Sequence, residues 1–96
     1  MNSYEILFVI ANALEDERKE AAVEAVKSVV ADGGGEVTRI EVMGTRRLAY
    51  PIEKKTEGYY VLVEFNAPPE LPKELDRRLR ISDDVIRHII INKDEK

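Results

Sequence analysis

The sequence predicts an α+β protein of the ferredoxin-like, split-βαβ class, in which two helices cover one face of a four-stranded antiparallel sheet. Two observations predict this class. The chain has 96 residues, of which 44% are hydrophobic and 35% charged, as in one globular domain. Its apolar segments change between strand-like and helix-like spacing in the order β-α-β-β-α-β. We therefore expect a single domain over residues 1–96, with a short polar tail over residues 92–96.

The first strand and the first helix are predicted from the N-terminal third of the chain. Tyr4–Ile10 is apolar and rich in β-branched and aromatic residues, as in a buried strand. We expect Asn12 to cap the following helix, with Glu15 completing a weaker form of the capping box. Valine and alanine at helical spacing continue to Asp32, and Gly33–Gly35 should end the helix with a left-handed cap.

A long hairpin is predicted from the middle of the chain. Residues 36–52 form an extended segment, in which we expect a bulge at Gly44 because the apolar alternation slips. Pro51 lacks an N–H group, so this strand should lie at an edge of the sheet. Residues 53–58 should form the turn, and Tyr59–Phe65 should return as an antiparallel strand.

The last third of the chain predicts a helix and a strand. A helix begins near Glu70 or Leu71, with Pro72 tolerated in its first turn. Leucines four residues apart, at 71, 75 and 79, predict its buried stripe. Ser82–Asp84 ends this helix, and Val85–Ile91 forms the last strand.

The residues that enzymes and metal sites require are few. There is no cysteine, which excludes disulfides, thiol catalysis and Cys-ligated zinc. The single histidine, His88, lies in an apolar strand, where a partly buried structural role is the more common one. Gly33–Gly35 follows a helix, whereas a phosphate-binding loop follows a strand. We therefore expect no catalytic residue, no metal, no cofactor and no small-molecule substrate.

The termini and the hydropathy pattern bear on location. No apolar run approaches the roughly 18 residues that a membrane span needs. The first five residues lack the basic start of a secretory signal. We therefore expect a cytoplasmic protein that does not enter a membrane.

The third strand lies where RNA-recognition domains of this fold have the motif K/R-G-F/Y-G/A-F-V-x-F/Y. Gly58 and Tyr59 fit this motif, but Glu57 replaces a base, Tyr60 a small residue and Val61 a stacking aromatic. The sequence therefore predicts an aliphatic open face, which suits a protein contact better than a single-strand RNA platform.

The charges are unevenly distributed. The net charge of −4 disfavours autonomous RNA binding, but residues 1–36 hold eight acidic and three basic residues, whereas residues 39–55 hold five basic and two acidic ones. Arg46 and Arg47 allow two interpretations, protection of an edge strand and contact with phosphates. For the arginines at 77, 78 and 80, a solvated helix face with local ion pairs is favoured.

The run Arg46–Ile52, followed by Glu57–Tyr60, resembles the bacterial small-subunit ribosomal protein six family. Tyr4-Glu5 near the start, the glycine-rich helix stop and Arg87-His88 also match, so the resemblance extends from about Tyr4 to Asn92. It implies a ferredoxin-like fold and a structural place in the 30S subunit of the ribosome. It also implies binding to the central domain of 16S rRNA in a heterodimer with the small, basic small-subunit ribosomal protein eighteen.

The resemblance implies that Arg46, Arg47, Leu48 and Tyr50 lie on the hairpin surface used for assembly. We infer rRNA contacts by basic residues of the hairpin and of the last strand: Arg46, Arg47, Lys54, Lys55 and Arg87. We infer a partner interface formed by apolar and aromatic residues: Leu48, Tyr50, Tyr59, Leu7 and Val9. The alternative is a ferredoxin-like regulatory or protein-interaction domain that forms homodimers through its sheets, which would need a polar effector pocket. A phosphate-handling enzyme of this fold would need an arginine near the first loop, and Leu7–Leu14 contains none.

Overall fold

The predicted order of elements is the observed one. A computed structural model describes residues 1–52 and 55–94, with the backbone alone for residues 48–52, 55 and 56. The elements are β1 (Asn2–Ala11), α1 (Asp16–Asp32), β2 (Glu36–Ile52), β3 (Lys55–Ala67), α2 (Leu71–Arg80) and β4 (Val85–Asn92). The strands form one antiparallel sheet in the order β2-β3-β1-β4. The ferredoxin-like class is therefore confirmed, and so is the edge position of β2.

The hydrophobic core lies between the two helices and one face of the sheet, which we call the covered face. Every second residue of β1 and β3 faces the helices, and the two helices contribute the predicted stripes. Burial of each valine, leucine, isoleucine or phenylalanine side chain in this core stabilises the fold by about 1.5–3 kcal/mol. The buried core comprises Tyr4, Ile6, Phe8, Ile10, Ala22, Val26, Val29, Val30, Val61, Val63, Phe65, Ala67, Leu71, Leu75 and Leu79.

Helix α1 begins later than the capping pattern predicts. Its N-cap is Glu15, whose side chain makes no capping hydrogen bond. The prediction that Asn12 caps the helix is wrong, because the hairpin engages this side chain. Thr45 Oγ1 donates a hydrogen bond of 2.8 Å to Asn12 Oδ1, and Asn12 Nδ2 donates one of 3.5 Å to Glu57 Oε2. Asn12 therefore fixes the base of the hairpin to the β1–α1 loop.

The end of α1 confirms the predicted glycine cap. Gly34 has a φ of +83°, the left-handed conformation that other residues adopt at a cost. The N–H of Gly35 donates to the carbonyl of Val30 at 2.8 Å, and that of Gly34 donates to Ala31 at 3.1 Å. This is the hydrogen-bond pattern of a Schellman motif, which satisfies the last carbonyls of the helix.

In the described part of the hairpin, the β2–β3 register shifts at three places in β2, two of which lie between Val37 and Gly44. The β2–β3 register shifts between Val37 and Arg39 and again between Val42 and Gly44, whose φ is +81°. The predicted bulge at Gly44 is confirmed. The predicted turn over residues 53–58 is too long, because pairing continues to Ile52 and Lys55 and β3 begins at Lys55.

The predicted polar tail is shorter than expected, because Asn92 still belongs to β4. Beyond it, the Lys93 N–H donates to the Ser3 carbonyl at 2.8 Å, and the Ser3 N–H donates to Asp94 Oδ2 at 2.8 Å. These bonds tie the end of the described chain to the start of β1.

Candidate functional site

The face of the sheet opposite the helices, which we call the open face, has no element packed on it in the described part of the chain. Strand register divides its side chains into three rows that run from β4 through β1 and β3 to β2. The row nearest the hairpin tip is Arg87, Val9, Tyr60 and Gly44; the middle row is Ile89, Leu7, Leu62 and Glu41; the last row is Ile91, Glu5, Glu64 and Arg39.

The middle of the open face is apolar. Leu7 and Leu62 are half-buried and pair across β1 and β3, and Ile89 continues their row on β4. Ile89 and Ile91 are 55% and 45% exposed. Exposed isoleucines beside apolar neighbours form a contiguous surface that water solvates poorly, which is typical of a protein-binding surface.

The end of the open face near the hairpin tip combines cations with one aromatic ring. Arg87 and Tyr60 flank the buried Val9 on the two neighbouring strands. Arg46 pairs with Gly58 and lies beyond this row on the same face. A small cavity of about 170 Å³ opens here, and Leu7, Val9, Tyr60, Arg87, His88 and Ile89 line it.

The opposite end of the open face is held by ion pairs. Glu64 accepts a hydrogen bond from Lys93 and pairs with Arg39 at 3.4 Å. The Lys93 hydrogen bond, together with the positive charge of Arg39, holds the pKa of the Glu64 carboxyl below its ordinary value. These contacts connect β2, β3 and the residues after β4, so they serve the fold at this end.

The structure separates two pairs of residues that are adjacent in sequence. Arg46 lies on the open face, whereas Arg47 pairs with Glu57 on the other face. Both arginines are exposed, and neither forms an ion pair with a described residue. Tyr59 likewise lies on the covered face, packed against the core, with Lys19 Nζ 4.8 Å from its ring centroid. Tyr59 and Arg47 therefore do not share a surface with Leu7, Val9, Arg46 and Arg87.

The remaining predicted contacts lie at the hairpin tip. Lys54 lies outside the described residues. For Leu48, Tyr50 and Lys55 the side chains are outside the described part of the structure, although these positions belong to β2 and β3. Their roles stay predictions.

The side chain of His88 is partly buried and hydrogen-bonded to helix α2. Its side chain is 13% exposed on the covered face, and Nε2 lies 2.7 Å from Asp76 Oδ1 on α2. Arg80 Nε donates to the other carboxylate oxygen at 2.9 Å. The His88 hydrogen bond and the Arg80 charge lower the pKa of the Asp76 carboxyl. This cluster joins β4 to α2.

The arginines of α2 confirm the predicted helix face with local pairs. Arg77 and Arg78 both donate to Glu74, at 2.7 and 2.9 Å. Within the described residues, no group of three His, Cys, Asp or Glu side chains could hold a metal ion. None of the helices described is both long and apolar enough to cross a membrane.

Sequence reasoning missed Tyr60, Leu62, Ile89 and Ile91 as open-face residues. The signal for Tyr60 was present, because Tyr59 has the same alternation as Val61 and Val63, which are buried, and Tyr60 has the opposite one. The prediction of a purely aliphatic open face is accordingly wrong at Tyr60. The position of Gly44 opposite Tyr60 could not be predicted, because it depends on two register shifts in β2.

These features are those of a ferredoxin-like domain that has an uncovered sheet face and a basic hairpin. The family model of ribosomal protein S6 matches residues 3–92. Among similar proteins, the small ribosomal subunit protein bS6 of Clostridium kluyveri is 51% identical over 96 residues, which is all of both chains. That of Clostridium acetobutylicum is 52% identical over 92 residues, 96% of this chain and 97% of the relative.

The fold agrees with this similarity. The crystal structure of 30S ribosomal protein S6 from Thermotoga maritima matches with a TM-score of 0.91 and 31% identity, over 96% of this chain and 87% of that chain. The chain belongs to the ribosomal protein S6 family. It is a non-enzymatic protein of the small ribosomal subunit in the cytoplasm.

Proposed function

We propose that the protein binds the central domain of 16S rRNA together with small-subunit ribosomal protein eighteen. The observation that supports this best is the open face, where exposed isoleucines lie beside a basic hairpin. Membership in a small-subunit family supports the same assignment. It also favours this function over a homodimeric regulatory domain.

The partner would cover the apolar middle of the open face. Burial of apolar surface stabilises an interface by about 25 cal/mol per Å² and is not directional. The open face provides such surface at Ile89, Ile91 and Leu7. Val9, which is buried, lies beside Leu7 on the same face of β1. Leu48 and Tyr50 would extend the contact along the hairpin, whereas Tyr59 lies on the covered face and would need a separate contact with the partner.

The basic residues would contact phosphates of the rRNA. Arg46 and Arg87 lie at the hairpin end of the open face, and Arg47 projects from the other side of the hairpin. Lys54 and Lys55 would add charge at the tip. Phosphate contacts position a protein without reading sequence, so the specificity comes from RNA shape and from the partner.

The acidic charge makes this binding depend on the partner. Residues 1–36 hold eight acidic and three basic residues and repel phosphate, although the hairpin attracts it. A basic partner offsets that repulsion. We therefore expect weak binding to a 16S central-domain fragment by the protein alone and tight, salt-sensitive binding with the partner.

The test is a titration of that fragment with and without protein eighteen at two salt concentrations. Ile89→Asp should abolish binding to the partner, and with it the tight binding to RNA. Ile81→Asp is the matched control, because Ile81 is 71% exposed at the end of α2, away from the open face. Tight binding without the partner would contradict the partner-dependent mechanism, and no binding in either mixture would contradict the proposed function.

A further inference from the structure

Tyr60 occupies an unusual position on the open face, because glycines lie beside it. Gly44 is directly opposite Tyr60 on β2, and Gly58 is two residues before it on β3. Tyr60 is half-buried, with Val9 as its other cross-strand neighbour. The ring therefore has room on the side towards the hairpin edge, where a strand would ordinarily place a side chain.

The space beside the ring is open in the structure. A Cβ atom built on Gly44 would meet no other atom within 4 Å. On the opposite side, the cavity lined by Tyr60, Val9 and Arg87 has a volume of about 170 Å³. This is below the roughly 300 Å³ of pockets that enclose drug-sized ligands. The site is therefore suited to one small flat group laid on the sheet.

The charges around the ring select the kind of group. Arg87 lines the cavity, and Arg46 lies on the same face beyond Gly58. The nearest carboxylate of the open face by register, Glu41, is one row further from the hairpin tip. Two arginines beside an aromatic ring match a nucleotide, whose base stacks on the ring and whose phosphates accept hydrogen bonds from guanidinium groups.

We propose that Tyr60 stacks against one unpaired nucleobase of rRNA, with Arg46 and Arg87 contacting the flanking phosphates. The proposal rests on the proposed function and adds to it a single-base site on the open face. It also divides that face between two partners. The middle row, with Ile89 and Leu7, takes the protein, and Tyr60 with Arg46 and Arg87 takes the RNA.

The test measures binding of the 16S central-domain fragment to the complex of this protein with protein eighteen. Loss of one stacked base costs about 5- to 150-fold in affinity, so Tyr60→Leu should weaken binding by a factor in that range, while Tyr60→Phe should bind as the wild type does. Gly44→Asn should also weaken binding, because asparagine tolerates positive φ and would place its side chain beside Tyr60. Gly34→Asn, at a second glycine with positive φ, is the matched control.

A second measurement identifies the base. Unpaired nucleotides of the fragment are replaced one at a time by abasic residues, and one replacement should remove the difference between wild type and Tyr60→Leu. Equal RNA affinity of the wild type and Tyr60→Leu, or no such nucleotide, overturns the stacking proposal. If Tyr60→Leu loses binding to protein eighteen in the absence of RNA, the proposal is also overturned, because a side chain of that protein would then occupy the site. If the wild-type complex does not bind the fragment, the proposed function itself fails.

Discussion

Arg46 and Arg47 show how one step along a strand places two like charges on opposite faces of the hairpin. Their side chains project from opposite faces of the hairpin, and neither forms an ion pair with a described residue. Charges at a sheet edge prevent pairing with other strands, and β2 is an edge strand. Edge protection and phosphate contact are compatible. The charges can prevent strand pairing in the free protein and contact rRNA phosphates once the protein is bound.

The double variant Arg46→Glu, Arg47→Glu should impair assembly with rRNA while leaving the fold stable. Exposed charge changes away from special backbone features usually alter stability by less than about 0.5 kcal/mol. Urea unfolding and titration of the RNA fragment with the partner measure the two effects. The single variants Arg46→Glu and Arg47→Glu then show which face of the hairpin accounts for the loss of RNA binding. A large fall in the free energy of unfolding would mean that these arginines are structural.

At the scale of elements, the sequence predicted the order of strands and helices because each has a distinct apolar period. The boundaries were less predictable where tertiary contacts compete with local signals. Asn12 has the side chain of a helix cap, but Thr45 and Glu57 of the hairpin bind it instead. The capping pattern cannot contain this information, because both partners lie more than thirty residues away.

The C-terminal end of α1 allows a test of its glycine cap. Gly34→Ala should lower the free energy of unfolding by about 1–2 kcal/mol, because a side chain in the left-handed conformation clashes with the following carbonyl. The nearest atom that a Cβ would meet is Pro68 Cγ at 4.0 Å, so the cost comes from the backbone and not from crowding. Gly34→Asn should cost less. Equal stability of Gly34→Ala and the wild type would contradict the left-handed cap.

Helix α2 should lose an electrostatic contribution in acid. The hydrogen bond from Arg77, followed by that from Arg78, lowers the pKa of Glu74 from 4.5 to about 2. Because the pKa is lower in the folded state, this contribution is present above pH 4.5 and is lost as the pH falls towards about 2. The stability difference between wild type and Glu74→Gln should therefore shrink over that range. Urea unfolding from pH 6 to pH 2 measures it.

The salt dependence provides the control for this effect. All three partners are exposed, so high salt should screen the pairs and reduce the difference at pH 6. A difference that stays constant from pH 6 to pH 2 would mean that Glu74 contributes by packing and not by its charge.

At the scale of the whole molecule, the net charge of −4 first argued against RNA binding, and its distribution narrows that inference. Residues 1–36 hold eight acidic and three basic residues, whereas the hairpin segment 39–55 holds five basic and two acidic ones. The sequence predicted the basic hairpin because its polar turn and Pro51 indicate where the two strands lie. The sequence could not predict which side chains of β2 and β3 are neighbours on the open face. The two register shifts of β2 between Val37 and Gly44 reverse the alternation after Val37 and restore it by Gly44, so the neighbours of Tyr60 are known only from the structure.

The same architecture predicts how the molecule opens. Strands β1 and β3 are central in the sheet and supply most of its buried side chains, so their amides at Phe8 and Val63 should exchange with solvent only through global unfolding. As an edge strand, β2 pairs with β3 alone, and its residues Thr45–Arg47 are exposed. Their amides should exchange faster, through local opening of the hairpin.

Native-state hydrogen exchange measures both rates. Adding protein eighteen and the RNA fragment should slow amide exchange at Thr45–Arg47. The Phe8 amide should still exchange only through global unfolding. Equal protection of both regions in the free protein would show that the hairpin and the core unfold as one unit.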